Sequence, residues 1–125
     1  MVQMRMLKAG AVALIAVLPF AAHAEPYLLM AEEHGCYWCE KWNEEIAPIY
    51  PKTVEGRTAP LRRYDLHSET PDVVFERRVQ YTPTFILVED GKELGRIEGY
   101  PGEDFFWGLL TVMFQRAGIP LEEAS

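Results

Sequence analysis

Two cysteines are the only ones in a chain of 125 residues, and they stand three apart in Cys36-Tyr37-Trp38-Cys39. An apolar, strand-like run, Tyr27-Leu28-Leu29-Met30, precedes them, and a helix-like run, Glu40 to Ile46, follows. Cysteines at this spacing at a helix start close a small disulfide ring with little backbone movement. The first sulfur then meets the unpaired N–H groups and the positive dipole end of the helix, and both favour a thiolate. Strand, C-x-x-C and helix together read as a dithiol/disulfide redox site. Cys36 takes the more exposed N-terminal position and is the expected nucleophile. Cys39, one turn deeper, is the expected resolving thiol. The helix terminus and a protonated His34 favour the Cys36 thiolate, while Glu32, Glu33 and Glu40 oppose it.

A zinc site is the competing use of these residues, since His34 and His67 with the two cysteines would make a Cys₂His₂ set. His34-x-Cys36 is too tight for a usual ligand pair and His67 belongs to an unrelated loop. No metal and no cofactor beyond the cysteine pair is therefore expected. A purely structural disulfide is also disfavoured, because so short a loop removes little chain entropy. Tyr37 and Trp38 flank the reactive atom and are candidate docking residues for a protein substrate. The simpler role for Trp38 is packing on the fold.

The start of the chain has the pattern of a secretory signal. Arg5 and Lys8 are followed by an apolar run from Ala9 to Phe20 and by Ala22-His23-Ala24, an A-x-A cleavage pattern. Residues 1–24 are expected to be a signal peptide and residues 25–125 one domain. An uncleaved membrane anchor is the alternative, with Pro19 and His23 against it. Cleavage removes two of the twelve Lys and Arg residues and none of the nineteen acids, leaving a net charge of −9. Such a surface argues against nucleic acid and anionic lipid as partners. Export also permits a disulfide.

The elements that must position the cysteines follow from periodicity and turn chemistry. Tyr27 to Met30 is a buried strand and Cys36 to Ala47 a helix, ended by Pro48 and Pro51. Pro60 to Tyr64 is a second strand. Thr70-Pro71-Asp72 signals a short helix through about Val79. Phe85 to Glu89 and Leu94 to Glu98 form a hairpin around Asp90-Gly91. Glu103 to Arg116 is a helix with Phe105, Phe106, Leu109, Leu110, Met113 and Phe114 as its apolar stripe, stopped by Gly118 and Pro120. Trp42 and Trp107 are expected to be core or helix-packing residues. The order β-α-β-α-β-β-α predicts an α/β fold with a four-stranded mixed sheet and helices on both faces.

This order, the C-x-x-C at the first helix and Tyr81-Thr82-Pro83-Thr84 before the hairpin resemble the thioredoxin family. The resemblance implies a thiol–disulfide oxidoreductase in which Pro83 is a cis-proline facing the redox pair, with Thr82 and Pro83 binding substrate. Cys36 to Cys39, Ile46 to Thr53 and Arg96 to Gly102 are similar to SoxS, the periplasmic thioredoxins of bacterial sulfur-oxidation systems. That likeness implies reduction of a protein cysteine disulfide or cysteine-bound sulfur adduct on the SoxYZ sulfur carrier. With the export signal it gives an expected periplasmic monomer, and because the periplasm has no glutathione buffer, a membrane thiol transporter is the expected electron donor. The chain departs from cytoplasmic thioredoxins at Tyr37-Trp38, where they have Gly-Pro, and at Met30, where they have a buried acid. The latter leaves the proton acceptor for Cys39 unassigned. A disulfide-forming oxidant of the DsbA type, an isomerase, and a non-enzymatic binding module are the alternatives. The first usually carries a large helical insertion, and Tyr64 to Thr82 is too short for one.

Cleavage after Ala24 predicts a periplasmic form whose intact mass begins at Glu25. A stable membrane-bound species retaining residues 1–24 would favour the anchor instead.

Overall fold

A computed structural model describes residues 2–3, 8–19 and 24–121. Arg5, Ala22, His23 and the acidic tail at Glu122-Glu123 lie outside the described residues. Residues 8–19 form neither helix nor strand, and Val12, Leu14, Ile15, Val17 and Leu18 are exposed. Among the described residues, no helix is long and apolar enough to cross a membrane.

The elements are β1 (Tyr27–Glu32), α1 (Tyr37–Glu45), a 3-10 turn (Tyr50–Lys52), α2 (Val54–Thr58), β2 (Leu61–Asp65), β3 (Thr84–Glu89), β4 (Lys92–Glu98) and α3 (Glu103–Ala117). The sheet order is β2-β1-β3-β4. β1 runs parallel to β2 and antiparallel to β3, and β3 pairs antiparallel with β4. β1 and β3 are central and covered on both faces, so they read as continuous apolar runs. The hairpin turn places both Asp90 and Gly91 at positive φ, 51° and 73°, as a two-residue turn between twisted strands requires.

Alternate strand residues point to two cores. Leu28, Met30, Phe85, Leu87 and Ile97 face α1 and α3, where they meet Trp42, Ile46, Phe106, Leu110 and Phe114. Leu29, Ala31, Ile86 and Val88 form the second core with Tyr64 and Val79, flanked by Val73 and Phe75. The α/β class and the four-stranded mixed sheet stand as expected.

Three expectations are corrected. First, no helix forms from Thr70 to Val79. The second sheet face is covered by irregular chain, and the described helices are not distributed over both faces as the helix expectation required. Val74 instead bridges Lys92 in parallel, with its N–H on Gly91 O at 2.7 Å and its carbonyl accepting from Glu93 N at 3.2 Å. The β-branched pair Val73-Val74 suits this extended path. Three further backbone groups bind a buried ion pair. Arg96 and Glu93 are 2.6 Å apart with their side chains almost fully covered. Arg96 donates to the carbonyls of Arg77 and Arg78 at 2.8 and 3.3 Å, and Glu93 accepts from Glu76 N at 3.3 Å. The hydrogen bond to Glu93 raises the Arg96 pKa above its ordinary value.

Second, α2 forms between Pro51 and Pro60, where the sequence signals no helix. Thr53 caps it, accepting from Gly56 N at 3.1 Å while donating to Tyr50 O at 2.6 Å. A Cβ on Gly56 would lie 1.9 Å from Tyr50 O, so only glycine fits this close approach. Third, the α3 stripe is narrower than expected. Phe106, Leu110, Met113 and Phe114 are buried, whereas Phe105 is 72% exposed and Leu109 is also exposed.

Removing one partner of a buried ion pair leaves the other charge unpaired. Arg96→Met is expected to lower the unfolding free energy by about 3–5 kcal/mol in urea denaturation, and Glu93→Leu/Arg96→Met to lose less than the single variant. A loss below about 1 kcal/mol would place this pair among inconsequential surface contacts.

Candidate active site

Strand register decides which loops can meet. Ala31 pairs with Thr84, Glu32 with Asp65, and Thr84 with Glu98. The loops after β1, after β2, before β3 and after β4 therefore leave the sheet at one end. These loops carry Glu33 to Cys36, His67, Tyr81 to Pro83, and Gly99 to Pro101.

Cys36 is the N-cap of α1, in extended backbone geometry after Gly35 at φ 76°. Its Sγ accepts from Cys39 N at 3.1 Å, and its carbonyl accepts from Glu40 N at 3.1 Å. The sulfur thus sits on a first-turn N–H, where negative charge on it is favoured. Cys36 and Cys39 are joined as a disulfide with Cα atoms 5.2 Å apart. The expected open position of Cys36 is corrected in degree: it is 9% exposed, against 3% for Cys39. Cys36 remains the more accessible of the two.

Trp42, three residues after Cys39, fixes the helix from behind. It is fully buried, with ring centroids 5.0 Å from Phe85, 5.8 Å from Phe106 and 6.3 Å from Tyr50. Tyr37 and Trp38 point outward, 61% and 53% exposed, and their rings meet edge to face at 5.0 Å. Trp38 therefore does not pack into the core. Tyr81, 58% exposed, adds an aromatic on the Pro83 loop. Its place beside Thr82-Pro83 is the one sequence signal for it.

The Thr82–Pro83 peptide is cis. Pro83 O accepts from Gly99 N at 2.7 Å, and Thr84 Oγ1 donates to Tyr81 O at 2.6 Å. Glu33, expected to be an exposed charge that opposes the thiolate, lies at the centre of a cluster. Thr82 Oγ1 donates to its Oε1 at 2.8 Å, and His67 Nε2 bonds its Oε2. The Thr82 hydroxyl, and then His67, hold the Glu33 carboxyl below its ordinary value of 4.5. Asp65 Oδ1 accepts from the N–H groups of His67 and Ser68 at 2.9 and 3.0 Å, fixing the turn that presents His67. These contacts, the His67 N–H first, hold Asp65 below 3.8.

His67 thus binds Glu33 rather than the cysteines. Among the described residues, no group of three His, Cys, Asp or Glu side chains is arranged to hold a metal. Behind the pair, Met30 is fully buried with Arg63 Nη1 3.5 Å from its Sδ. Arg63 also bonds Glu32 at 2.7 Å and Asn43 at 2.8 Å. The buried carboxylate among the described residues is Glu93. It pairs with Val88 toward the opposite end of the sheet, too remote to take a proton from Cys39.

A disulfide across the first turn of a helix, beside a proline loop at one end of a β2-β1-β3-β4 sheet, defines a thioredoxin-fold redox site. The chain belongs to the thioredoxin-like family, whose domain model matches residues 17–113, and it is a thiol–disulfide oxidoreductase. It is 48% identical to the periplasmic thioredoxin SoxS from Paracoccus pantotrophus, solved in its reduced form, over 74% of this chain and 99% of that one, with a TM-score of 0.72. Malassezia sympodialis thioredoxin (Mala s 13) is 16% identical over 74% of this chain and 76% of that one. Its TM-score of 0.48 carries no weight in the assignment. No curated protein sequence matches the chain.

Proposed function

We propose that this protein is an exported periplasmic reductase. It releases a partner protein's cysteine from a disulfide or a bound sulfur, and a sulfur carrier of the SoxYZ type is the partner proposed. The observation that carries this reading is the Cys36–Cys39 pair capping α1, in a chain so similar to a periplasmic thioredoxin of the SoxS type.

Reduced Cys36, as thiolate, attacks the partner's cysteine sulfur and forms a mixed disulfide, while the displaced sulfur leaves as a thiolate (from a disulfide) or as hydrosulfide (from a bound sulfur atom) and takes up a proton. Cys39, deprotonated, then attacks Cys36 Sγ. The partner's cysteine leaves with the electron pair, and the Cys36–Cys39 disulfide forms. Two electrons pass to the partner and two thiol protons are released or transferred. The Cys39 N–H on Cys36 Sγ stabilises the attacking thiolate. Tyr37 and Trp38 supply contact area beside the sulfur, and Thr82 and Pro83 bind the partner's backbone. The oxidised pair is reset by a dithiol donor, for which a membrane thiol transporter is proposed. Segment 1–24 serves as the signal peptide that delivers the domain.

The division of labour predicts that Cys39→Ser accumulates a covalent adduct with its partner through Cys36, seen as a mixed disulfide on non-reducing gels, and that Cys36→Ser does not. The exposed aromatics predict faster cleavage of a carrier adduct than of insulin disulfides, with Tyr37→Gly/Trp38→Pro narrowing the difference. Trapping through Cys39 alone, or equal rates on both substrates, would overturn the respective assignment.

A further inference from the structure

Glu33 carries two contacts whose value to folding is small. Its side chain is about one-third exposed, and ion pairs in such positions are screened by solvent and add little to stability. The contacts matter for where they lead. Glu33 is three residues before Cys36. Its Oε1 receives the Thr82 hydroxyl next to Pro83, and its Oε2 receives His67 from the loop after β2. Each carboxylate oxygen thus ties one neighbouring loop to the loop that delivers the reactive sulfur. A hydroxyl donating to a carboxylate oxygen fixes the separation and direction of the two groups it joins. The groups facing Glu33 are accounted for on each side: Thr82 from the Pro83 loop, and His67 and Asp65 from the loop after β2. Glu32, the neighbouring acid, is engaged by Arg63 instead.

We propose that Glu33 is a positioning residue of the exchange reaction, clamping the Thr82-Pro83 turn and the His67 turn against the approach to Cys36. The surface that receives a partner's backbone is thereby set before the partner arrives. This inference rests on the thiol-exchange reading above. It assigns Glu33 no bond to the reacting sulfurs. Its effect is on orientation, and misplacing a binding surface slows reaction with a substrate that must dock while sparing one that need not. The acceptor function, rather than the negative charge, is the operative part, so an amide oxygen at the same position can replace it.

The test uses the full exported protein with Glu33→Ala, Glu33→Gln, Thr82→Val, Thr82→Ser and the double variant Glu33→Ala/Thr82→Val. Two rates are measured on each: kcat/KM for reduction of insulin disulfides, and alkylation of reduced Cys36 by iodoacetamide. The clamp predicts that Glu33→Ala and Thr82→Val each lower kcat/KM about ten-fold and that the double variant falls little further. Glu33→Gln and Thr82→Ser, which keep an acceptor and a donor, should stay within about three-fold of wild type. Alkylation should change by less than about two-fold throughout. Multiplying losses in the double variant would break the link between Glu33 and Thr82. A parallel fall in alkylation would make Glu33 a tuner of the Cys36 thiol. Loss in Glu33→Gln equal to that in Glu33→Ala would shift the role to charge. Each of these results overturns the clamp, as does an unchanged rate in Glu33→Ala. Wild-type protein that alkylates at Cys36 yet reduces no disulfide would refute the exchange reading itself, independently of how the variants rank.

Discussion

The buried pair of Glu93 and Arg96 is the constraint on which the rest depends. The chain from Leu66 to Pro83 must cover one face of the sheet and deliver Thr82-Pro83 to the end where the cysteines lie. It does so without a helix, so it has no regular ladder of its own and several of its backbone groups must find partners elsewhere. The ion pair supplies partners for three of them, binding the N–H of Glu76 and the carbonyls of Arg77 and Arg78. Two charges are expensive to bury, and their mutual attraction offsets this only when further hydrogen bonds occupy the remaining donors and acceptors. Here the irregular segment supplies those bonds. The segment and the pair therefore stabilise each other, and the path of the Pro83 loop follows from both.

At the other end of the sheet the chemistry depends on a different balance. The chain is acidic, with a formal net charge of −7, and acids surround the approach to Cys36. The thiolate is favoured locally by the α1 terminus and the Cys39 N–H on Sγ. Glu33 and Glu32 are drawn into contacts with Thr82, His67 and Arg63, which place cationic or donor groups against them. Meanwhile Trp42, locked among Phe85, Phe106 and Tyr50, holds the helix that carries both sulfurs.

Much of this was legible in the sequence. The C-x-x-C after an apolar strand, the Asp90-Gly91 hairpin and the Gly118 stop of α3 are local signals, and local signals survive in the fold. The start pattern Thr70-Pro71-Asp72 did not lead to a helix, because Val73-Val74 and the reach of Arg96 favour an extended path. That competition involves residues more than fifteen positions apart, which periodicity cannot weigh. Phe105 and Leu109 fit an apolar stripe by type, yet α3 turns a narrower face to the sheet. Glu33 was visible as a charge near a cysteine. Its contacts come from loops after β2 and before β3, and only strand register brings those together.

The central claim is that the Cys36–Cys39 pair gives electrons to its partner rather than taking them. Equilibrating the purified protein with defined ratios of reduced and oxidised glutathione and quantifying the two forms measures that directly. The account predicts a potential nearer the ~ −270 mV of thioredoxin than the ~ −120 mV of a disulfide-forming oxidant. A value at the oxidising end, with the reduced form the stabilised one, would contradict it.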